Sequence, residues 1–207
     1  MTTTLLIARH GNTFGPNDVV TRVGGRTDLP LVESGLQQGL RLGAHLKANN
    51  LVPDAIFTSN LKRAIETAEK AQSAMGTNLP QEKLTAFNEI DYGQDENKPE
   101  TEVVARLGEE ALKAWDEHGT VPDGWKVDPQ AIIQAWLDFG QRVAKDYAGK
   151  RVLIVSSNGI IRFAPHLTGD FAGFRAQHKI KVSTGALCQF DLEGGKWICK
   201  NWNVKPA

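Results

Sequence analysis

The chain has 207 residues, of which 41% are hydrophobic and 23% are charged, values typical of one globular domain or two small ones and not of a disordered or fibrous chain. Lys plus Arg and Asp plus Glu both number 24, so the formal net charge is zero and the basic excess that non-specific nucleic-acid binding uses is lacking. The longest apolar runs are too short to cross a bilayer, and the first residues lack the basic start of a signal peptide. We therefore expect a cytoplasmic protein without a nucleic-acid or membrane partner.

The first third of the chain alternates short apolar runs with longer helical patterns, which is typical of an α/β fold. Residues 5–8 form a continuous apolar run, which predicts a strand over residues 4–9 that is buried on both faces and followed by a glycine-rich loop. Residues 33–49 have helical spacing, residues 54–58 predict a second strand, and residues 61–75 predict a second helix. The polar pair Ser59–Asn60 supplies candidate N-caps for that helix.

The middle of the chain predicts an insertion. A polar stretch from residue 94 leads into two helical patterns, at residues 101–117 and 129–147. We interpret the whole of residues 94–148 as a small helical cap.

The last third of the chain is β-rich. Residues 151–156 predict another buried strand, Asn158–Gly159 a tight turn and residues 160–167 a short helix. Residues 186–191 and 196–204 flank a Gly-Gly turn and predict a terminal hairpin.

Together these elements predict a single domain over residues 1–207. Its fold class is α/β, with three layers, a mostly parallel central sheet flanked by helices, the cap insertion and a C-terminal β-hairpin. Cys188 and Cys199 have no Cys or His neighbours at metal-ligand spacing, so we predict reduced thiols and no zinc site.

Candidate chemistry lies where three predicted strands end. Arg9 and His10 end the first strand, Arg63 lies in the first turn of the helix after the second, and Asn158 follows the later one. Ligands of open, mostly parallel sheets bind beyond these ends, so the groups converge if the strands are neighbours. Two guanidiniums suit a tetrahedral oxyanion and would offset the charge that repels a nucleophilic histidine. The pattern predicts a phosphate site in which His10 attacks phosphorus.

Four motifs carry a family resemblance. In chain order they are Arg9-His-Gly-Asn-Thr13, Asp28-Leu-Pro-Leu-Val-Glu-Ser-Gly35, Ser59-Asn-Leu-Lys-Arg-Ala-Ile-Glu-Thr-Ala68 and Glu89-Ile-Asp-Tyr-Gly93. Together they resemble the histidine phosphatase superfamily, the phosphoglycerate-mutase-like proteins, over almost the whole chain.

The resemblance implies a role for each matched residue. His10 would become phosphohistidine, Arg9 and Arg63 would bind the phosphoryl oxygens, and Glu89 would protonate the leaving oxygen. Further phosphate donors would be Thr13, Asn17, Asn158 and Gly159. Asn17 lies one residue further from Arg9 than the family pattern has it. The scheme needs no metal or other cofactor, its partner is a phosphorylated small molecule or phosphate ion, and it sets no oligomeric state.

The chain departs from the family at Asn158, which stands where the family has a second histidine. An amide donates a hydrogen bond but carries no charge and exchanges no proton near neutral pH. Loss of one preorganised donor costs about 10²–10³ in rate, so we expect binding to survive better than turnover. Asn158 would belong either to a slow, specialised or inactive natural phosphatase or to an engineered trap. Helix geometry disfavours His166 as a replacement, whereas His178 stays a candidate.

Several functions remain open. The leading hypothesis is hydrolysis of a small phosphomonoester through phosphohistidine at His10, attenuated by Asn158. The alternative is a disabled phosphate-ligand binding or regulatory protein, and a minor one is mutase-type phosphotransfer, which the modest cap and short tail disfavour. A Rossmann dinucleotide site ranks lower, because no G-x-G-x-x-G follows the first strand.

Overall fold

A computed structural model describes residues 2–207, and its centre is a six-stranded sheet. The strands are β1 (Thr3–Arg9), β2 (Ala55–Thr58), β3 (Gln81–Lys83), β4 (Arg151–Ser156), β5 (Leu187–Glu193) and β6 (Lys196–Val204). Their order across the sheet is β3-β2-β4-β1-β5-β6. The first four strands are parallel, and β5 and β6 are antiparallel. The α/β class and the terminal hairpin are thereby confirmed.

Helices cover both faces of the sheet. They are α1 (Glu33–Ala48), α2 (Lys62–Met75), α3 (Glu100–Leu107), α4 (Glu109–His118), α5 (Pro129–Asp146), α6 (Asn158–Ile161) and α7 (Phe171–Gln177), with 3₁₀ turns at Thr85–Phe87, Gly93–Asp95 and Ala164–Thr168. Successive side chains of a strand point to opposite faces. Leu6 and Ala8 therefore pack under α1 and α2, while Leu5 and Ile7 join the aromatic core on the other side. This two-sided burial explains the uninterrupted apolar run of β1.

The predicted cap is too long at its C-terminal end. Helix α5 packs on the sheet, where Phe139 lies 5.1 Å from the Phe57 ring of β2. The insertion therefore ends before α5 and contains only α3 and α4. Gly108, with a φ of 81°, separates these two helices within the single helical pattern that the sequence predicted. That the whole chain is one domain stays a prediction.

The N-cap prediction for α2 is also wrong. Leu61 is the N-cap residue and makes no side-chain cap hydrogen bond. Instead the distant Asp28 carboxylate accepts a hydrogen bond of 2.7 Å from the Lys62 backbone N–H. A residue of a remote loop thus satisfies a helix end that local sequence leaves without a cap.

Three smaller features concern the start of α6, the cysteines and the helix lengths. Asn158–Gly159 is the first turn of α6 rather than a tight turn, with Ser157 as its N-cap residue. Cys188 and Cys199 are free. No helix within residues 2–207 has both the length and the apolarity needed to span a membrane.

Candidate active site

Three strand ends meet at one cavity. Strand β4 lies between β1 and β2, so the condition for convergence is met. Arg9 pairs with Ser156 in the last register position of β1 and β4, and the His10 N–H donates to the Ser156 carbonyl at 3.0 Å. The cavity beyond these ends has a volume of about 460 Å³. Five of the candidate residues line it: Arg9, His10, Thr13, Glu89 and Asn158.

His10 is buried with a defined tautomer. Its Nδ1 lies 2.7 Å from the Gly11 carbonyl oxygen, and because a carbonyl only accepts, Nδ1 must carry the hydrogen. The Nε2 lone pair is then free. Burial lowers the pKa of His10 well below its ordinary value, and the charges of Arg63 and Arg9 lower it further. The imidazole is therefore neutral and nucleophilic near neutral pH.

Arg9 and Arg63 surround this imidazole with positive charge. Arg9 Nη1 donates to the Val182 carbonyl at 2.6 Å. The fully buried Arg63 donates to the Thr27 and Gly24 carbonyls at 2.8 and 3.1 Å. Burial lowers the pKa of both arginines while the Glu89 charge raises it, and both guanidiniums stay protonated. Within residues 2–207, both Nε atoms are buried and neither has a hydrogen-bond partner.

Arg63 lies beneath His10 rather than in the cavity wall. It does not line the cavity, although its charge acts on His10. Thr67, one helical turn later, accepts from the Gly11 N–H at 3.0 Å and donates to the Arg63 carbonyl at 2.6 Å. The Thr67 hydroxyl therefore joins α2 to the loop that carries His10.

Glu89 is held by backbone donors. Its Oε1 accepts from the Ile90 N–H at 2.9 Å and its Oε2 from the Gly159 N–H at 3.2 Å, and the side chain is buried. The Gly159 N–H is used by Glu89 and Gly159 does not line the cavity, so the structure does not support the predicted phosphate-donor role of Gly159. A Cβ at position 159 would lie 2.1 Å from Glu89 Oε1, so only glycine allows this approach.

Asn158 presents a donor to the cavity. Its Oδ1 accepts from the Val182 N–H at 2.8 Å, which assigns the amide orientation because an N–H only donates. The Nδ2 group therefore faces away from Val182 and is the part available to a ligand. His178 and His166 do not line this cavity; the His178 ring packs 4.7 Å from Phe174, and His166 stacks elsewhere.

The structure does not bring Asn17 to the cavity. A turn closed by hydrogen bonds between Gly15 and Asp18 exposes Asn17 at its tip. The donor role predicted for Asn17 is therefore not supported. Asn12, five residues earlier, lines the cavity instead and accepts a 2.5 Å hydrogen bond from the Thr184 hydroxyl.

Arg162 is the main cavity residue that the sequence analysis missed. It is 1% exposed, donates to the carbonyls of Trp115 and Asn158, and lies over the Trp115 ring at 4.1 Å. Burial lowers its pKa, while Tyr92 and Asp116 raise it. Its place one helical turn after Asn158 is the signal that would have indicated it. Arg162 therefore links the N-terminal end of α6, at Asn158, to the cap helix α4.

The outer wall of the cavity comes from the cap and the loop before α1. The residues that line it are Tyr92, Trp115, Arg22 and Glu100, and Arg22 forms an ion pair with Glu100.

Among the described residues, no group of three His, Cys, Asp or Glu side chains is placed to hold a metal ion. The arrangement combines a neutral imidazole, cationic donors and a carboxylate, which are the parts needed for phosphoryl transfer.

Comparison with known proteins extends these observations. A family model described as the histidine phosphatase superfamily (branch 1) matches residues 5–205. Phosphoglycerate mutase 1 of Saccharomyces cerevisiae is 29% identical over 98% of this chain and 89% of its own length. A 2,3-bisphosphoglycerate-dependent phosphoglycerate mutase of Bifidobacterium longum is 34% identical over 62% of this chain. The match spans 52%, about half, of that relative's length.

Solved structures share the fold. The alpha-ribazole phosphatase from Shigella flexneri has a TM-score of 0.74 at 24% identity and covers 98% of this chain and 96% of its own. The mycobacterial glucosyl-3-phosphoglycerate phosphatase has a TM-score of 0.77 at 21% identity, over 99% and 100% of the two chains. At these identities the likeness is one of architecture.

Proposed function

Because the chain belongs to the histidine phosphatase superfamily, we propose that it hydrolyses a small phosphomonoester through a phosphohistidine at His10. One observation carries this proposal. His10 is neutral, its Nδ1–H is bound to the Gly11 carbonyl so that Nε2 is free, and His10 lines a cavity together with Arg9 and Arg162.

In the first step, His10 Nε2 attacks phosphorus while the bond from phosphorus to the ester oxygen breaks. Arg9 and Arg63 stabilise the charge on the non-bridging oxygens, because preorganised cations need no reorganisation as the transition state forms. Glu89, in its protonated form, gives its proton to the leaving oxygen. The alcohol departs and the phosphoryl group stays on His10.

In the second step, water attacks the phosphorus of the phosphohistidine. The Glu89 carboxylate takes a proton from this water, and the nitrogen–phosphorus bond breaks. Inorganic phosphate leaves, and His10 and Glu89 return to their starting protonation states. The sum is ester plus water to alcohol plus phosphate, without a metal or other cofactor.

Asn158 takes the place of a second histidine as a hydrogen-bond donor. Its Nδ2 group would donate to a phosphoryl oxygen while Val182 holds Oδ1. Asn158 keeps the hydrogen bond to phosphate and loses only the charge and the exchangeable proton of a histidine, so turnover would be reduced rather than abolished. Thr13 and Asn12 line the same cavity and supply further polar groups to the phosphate.

The experiment is turnover of an aryl phosphate by the parent protein and by His10→Ala, with a phosphoenzyme trap. We expect release of inorganic phosphate by the parent protein only, together with an acid-labile, base-stable phosphoryl adduct seen by intact mass and by phosphorus NMR. An adduct on another residue, or equal turnover by His10→Ala, would refute the proposal.

A second function is favoured by one observation, the absence of a titratable group at position 158. In a disabled binder, Arg9, Arg63 and Asn158 would hold a phosphorylated ligand without releasing product. Phosphate binding measured by calorimetry, combined with no turnover and no adduct in the same preparation, would select this alternative. Mutase-type transfer, the activity named for several relatives, would require phosphoryl exchange between two alcohols faster than release to water.

A further inference from the structure

A second cavity adjoins the proposed phosphoryl site. It has a volume of about 650 Å³ and lies between α4, the end of α7 and the loop that follows α7. Asp116 and Lys181 line both this cavity and the one that holds His10. Their side chains form an ion pair of 2.6 Å, so this salt bridge lies where the two spaces adjoin.

The second cavity is cationic in a chain of zero net charge. Two carboxylates, Asp116 and Glu117, face four basic side chains that line it: Lys113, Arg175, Lys179 and Lys181. Lys181 is paired with Asp116, and Lys113 lies 4.0 Å from Glu117. Within the part of the chain that the structure describes, Arg175 and Lys179 form no ion pair. Two cations are therefore left for an external anion.

Side-chain contacts hold Arg175 in place at this cavity. A guanidinium nitrogen of Arg175 contacts His118 Nδ1, and since Arg donates only, Nδ1 is the acceptor and any hydrogen of a neutral His118 ring is on Nε2. The Arg175 guanidinium also lies 5.9 Å from the Phe171 ring centroid. The guanidinium is thereby oriented before a ligand arrives, which lowers the entropic cost of binding.

We propose that this cavity binds the distal anionic group of a substrate that carries two anionic ends. The inference rests on the proposed function: the ester phosphate would sit at His10, the connecting part of the substrate would cross the Asp116–Lys181 pair, and Arg175 and Lys179 would bind a second phosphate or a carboxylate. The substrate class is then a phosphomonoester with a remote acidic group.

The test uses ligands that cannot be hydrolysed. We would titrate the full chain with α,ω-alkane bisphosphonates of increasing length, with alkyl monophosphonates of the same lengths and with the matching phosphonocarboxylates. At one length we expect the two-anion ligand to bind about tenfold more tightly than the monophosphonate, which corresponds to two moderate charge-assisted contacts. The carboxylate series shows which distal anion is preferred.

Two double variants locate the effect. Arg175→Ala/Lys179→Ala removes the proposed contacts, and Arg151→Ala/Lys196→Ala removes the same charge from exposed positions elsewhere. We expect the advantage of the two-anion ligand to disappear in the first variant and to persist in the second. If Arg175 and Lys179 only stabilise the C-terminal end of α4 or α7, their removal would lower the free energy of unfolding but would not change the ratio of the two affinities.

The outcomes separate the two proposals. An equal affinity for one-anion and two-anion ligands at every length, or an advantage that survives Arg175→Ala/Lys179→Ala, would overturn this inference and leave the proposed phosphatase intact. Absence of binding by every ligand would overturn both. Because the titration requires no turnover, a binder that lacks hydrolysis would still support the second anion site.

Discussion

Asn158 and Val182 are joined by a hydrogen bond of 2.8 Å from the Val182 backbone N–H to Asn158 Oδ1. The carbonyl of the same Val182 accepts from Arg9. One backbone residue thus orients both a cationic and a neutral donor of the proposed phosphate site. The relationship also limits what a histidine at position 158 would do, since its Nδ1 would have to accept from Val182 and only Nε2–H would face the phosphate.

Position 158 is the first test of the catalytic proposal. Asn158→Ala removes the Nδ2 donor, and we expect the kcat for an aryl phosphate to fall by about 10²-fold, a typical cost for one preorganised donor. Asn158→His restores a donor with a longer reach, so kcat should rise by about tenfold or more over the parent protein. Phosphate release at fixed times measures the kcat of both variants. If Asn158→Ala were as fast as the parent protein, the amide would make no contact in the transition state.

Arg162 should contribute to stability through its buried donors. Arg162→Met leaves the Trp115 carbonyl without this donor, and we expect the free energy of unfolding to fall by about 2 kcal/mol. Urea denaturation measures the change. The matched control is Arg142→Met, because Arg142 forms two hydrogen bonds with Glu82 on the surface and such pairs contribute less than about 1 kcal/mol. Equal losses in both variants would refute the assignment.

Gly11 packs too closely against α1 to accept a side chain. A Cβ at Gly11 would lie 2.5 Å from the Gly35 carbonyl oxygen and 2.8 Å from its Cα. We expect Gly11→Ala to lower the free energy of unfolding by about 1–3 kcal/mol through overpacking and to displace the carbonyl that holds His10. Gly15→Ala, where the nearest atom is 3.4 Å away and belongs to the Asp18 side chain, is the control and should change stability little. Similar losses in both variants would contradict the packing argument.

The buried neutral His10 predicts an acid-sensitive stability. Its pKa is lowered well below the ordinary value by burial and by the two arginines, so the unfolded chain binds a proton near pH 6.5 that the folded chain does not. Unfolding is therefore favoured as pH falls below about 6.5, by up to about 1.4 kcal/mol per pH unit from this group.

The comparison is with His10→Gln, which cannot titrate. The free energy of unfolding of the parent protein should fall more steeply between pH 7 and pH 5 than that of His10→Gln, as measured by urea denaturation in phosphate-free buffer. The other histidines are common to both proteins and cancel in the difference. Parallel pH profiles would show that the pKa of His10 is the same in the folded and unfolded states, contrary to this prediction.

Sequence patterns were sufficient to predict those elements whose environment is determined by a single segment of the chain. The continuous apolar run of β1 indicates burial on both faces, because side chains of a strand alternate between the faces. The Gly194–Gly195 turn between two β-rich segments indicates the terminal hairpin. The motifs that contain Arg9, His10 and Glu89 were sufficient to nominate the residues that meet at the cavity.

Tertiary structure alone decided the features that depend on distant segments. The order β2-β4-β1 brings the strand ends together, Asp28 satisfies the first turn of α2, and α5 joins the sheet rather than the cap. No local pattern specifies these contacts, since each joins residues that are far apart in the chain. The burial of Arg162 was decided in the same way. Its position one helical turn after Asn158 points to the cavity, but only the packing of the distant helix α4 buries its guanidinium and supplies the Trp115 carbonyl that a buried charge requires.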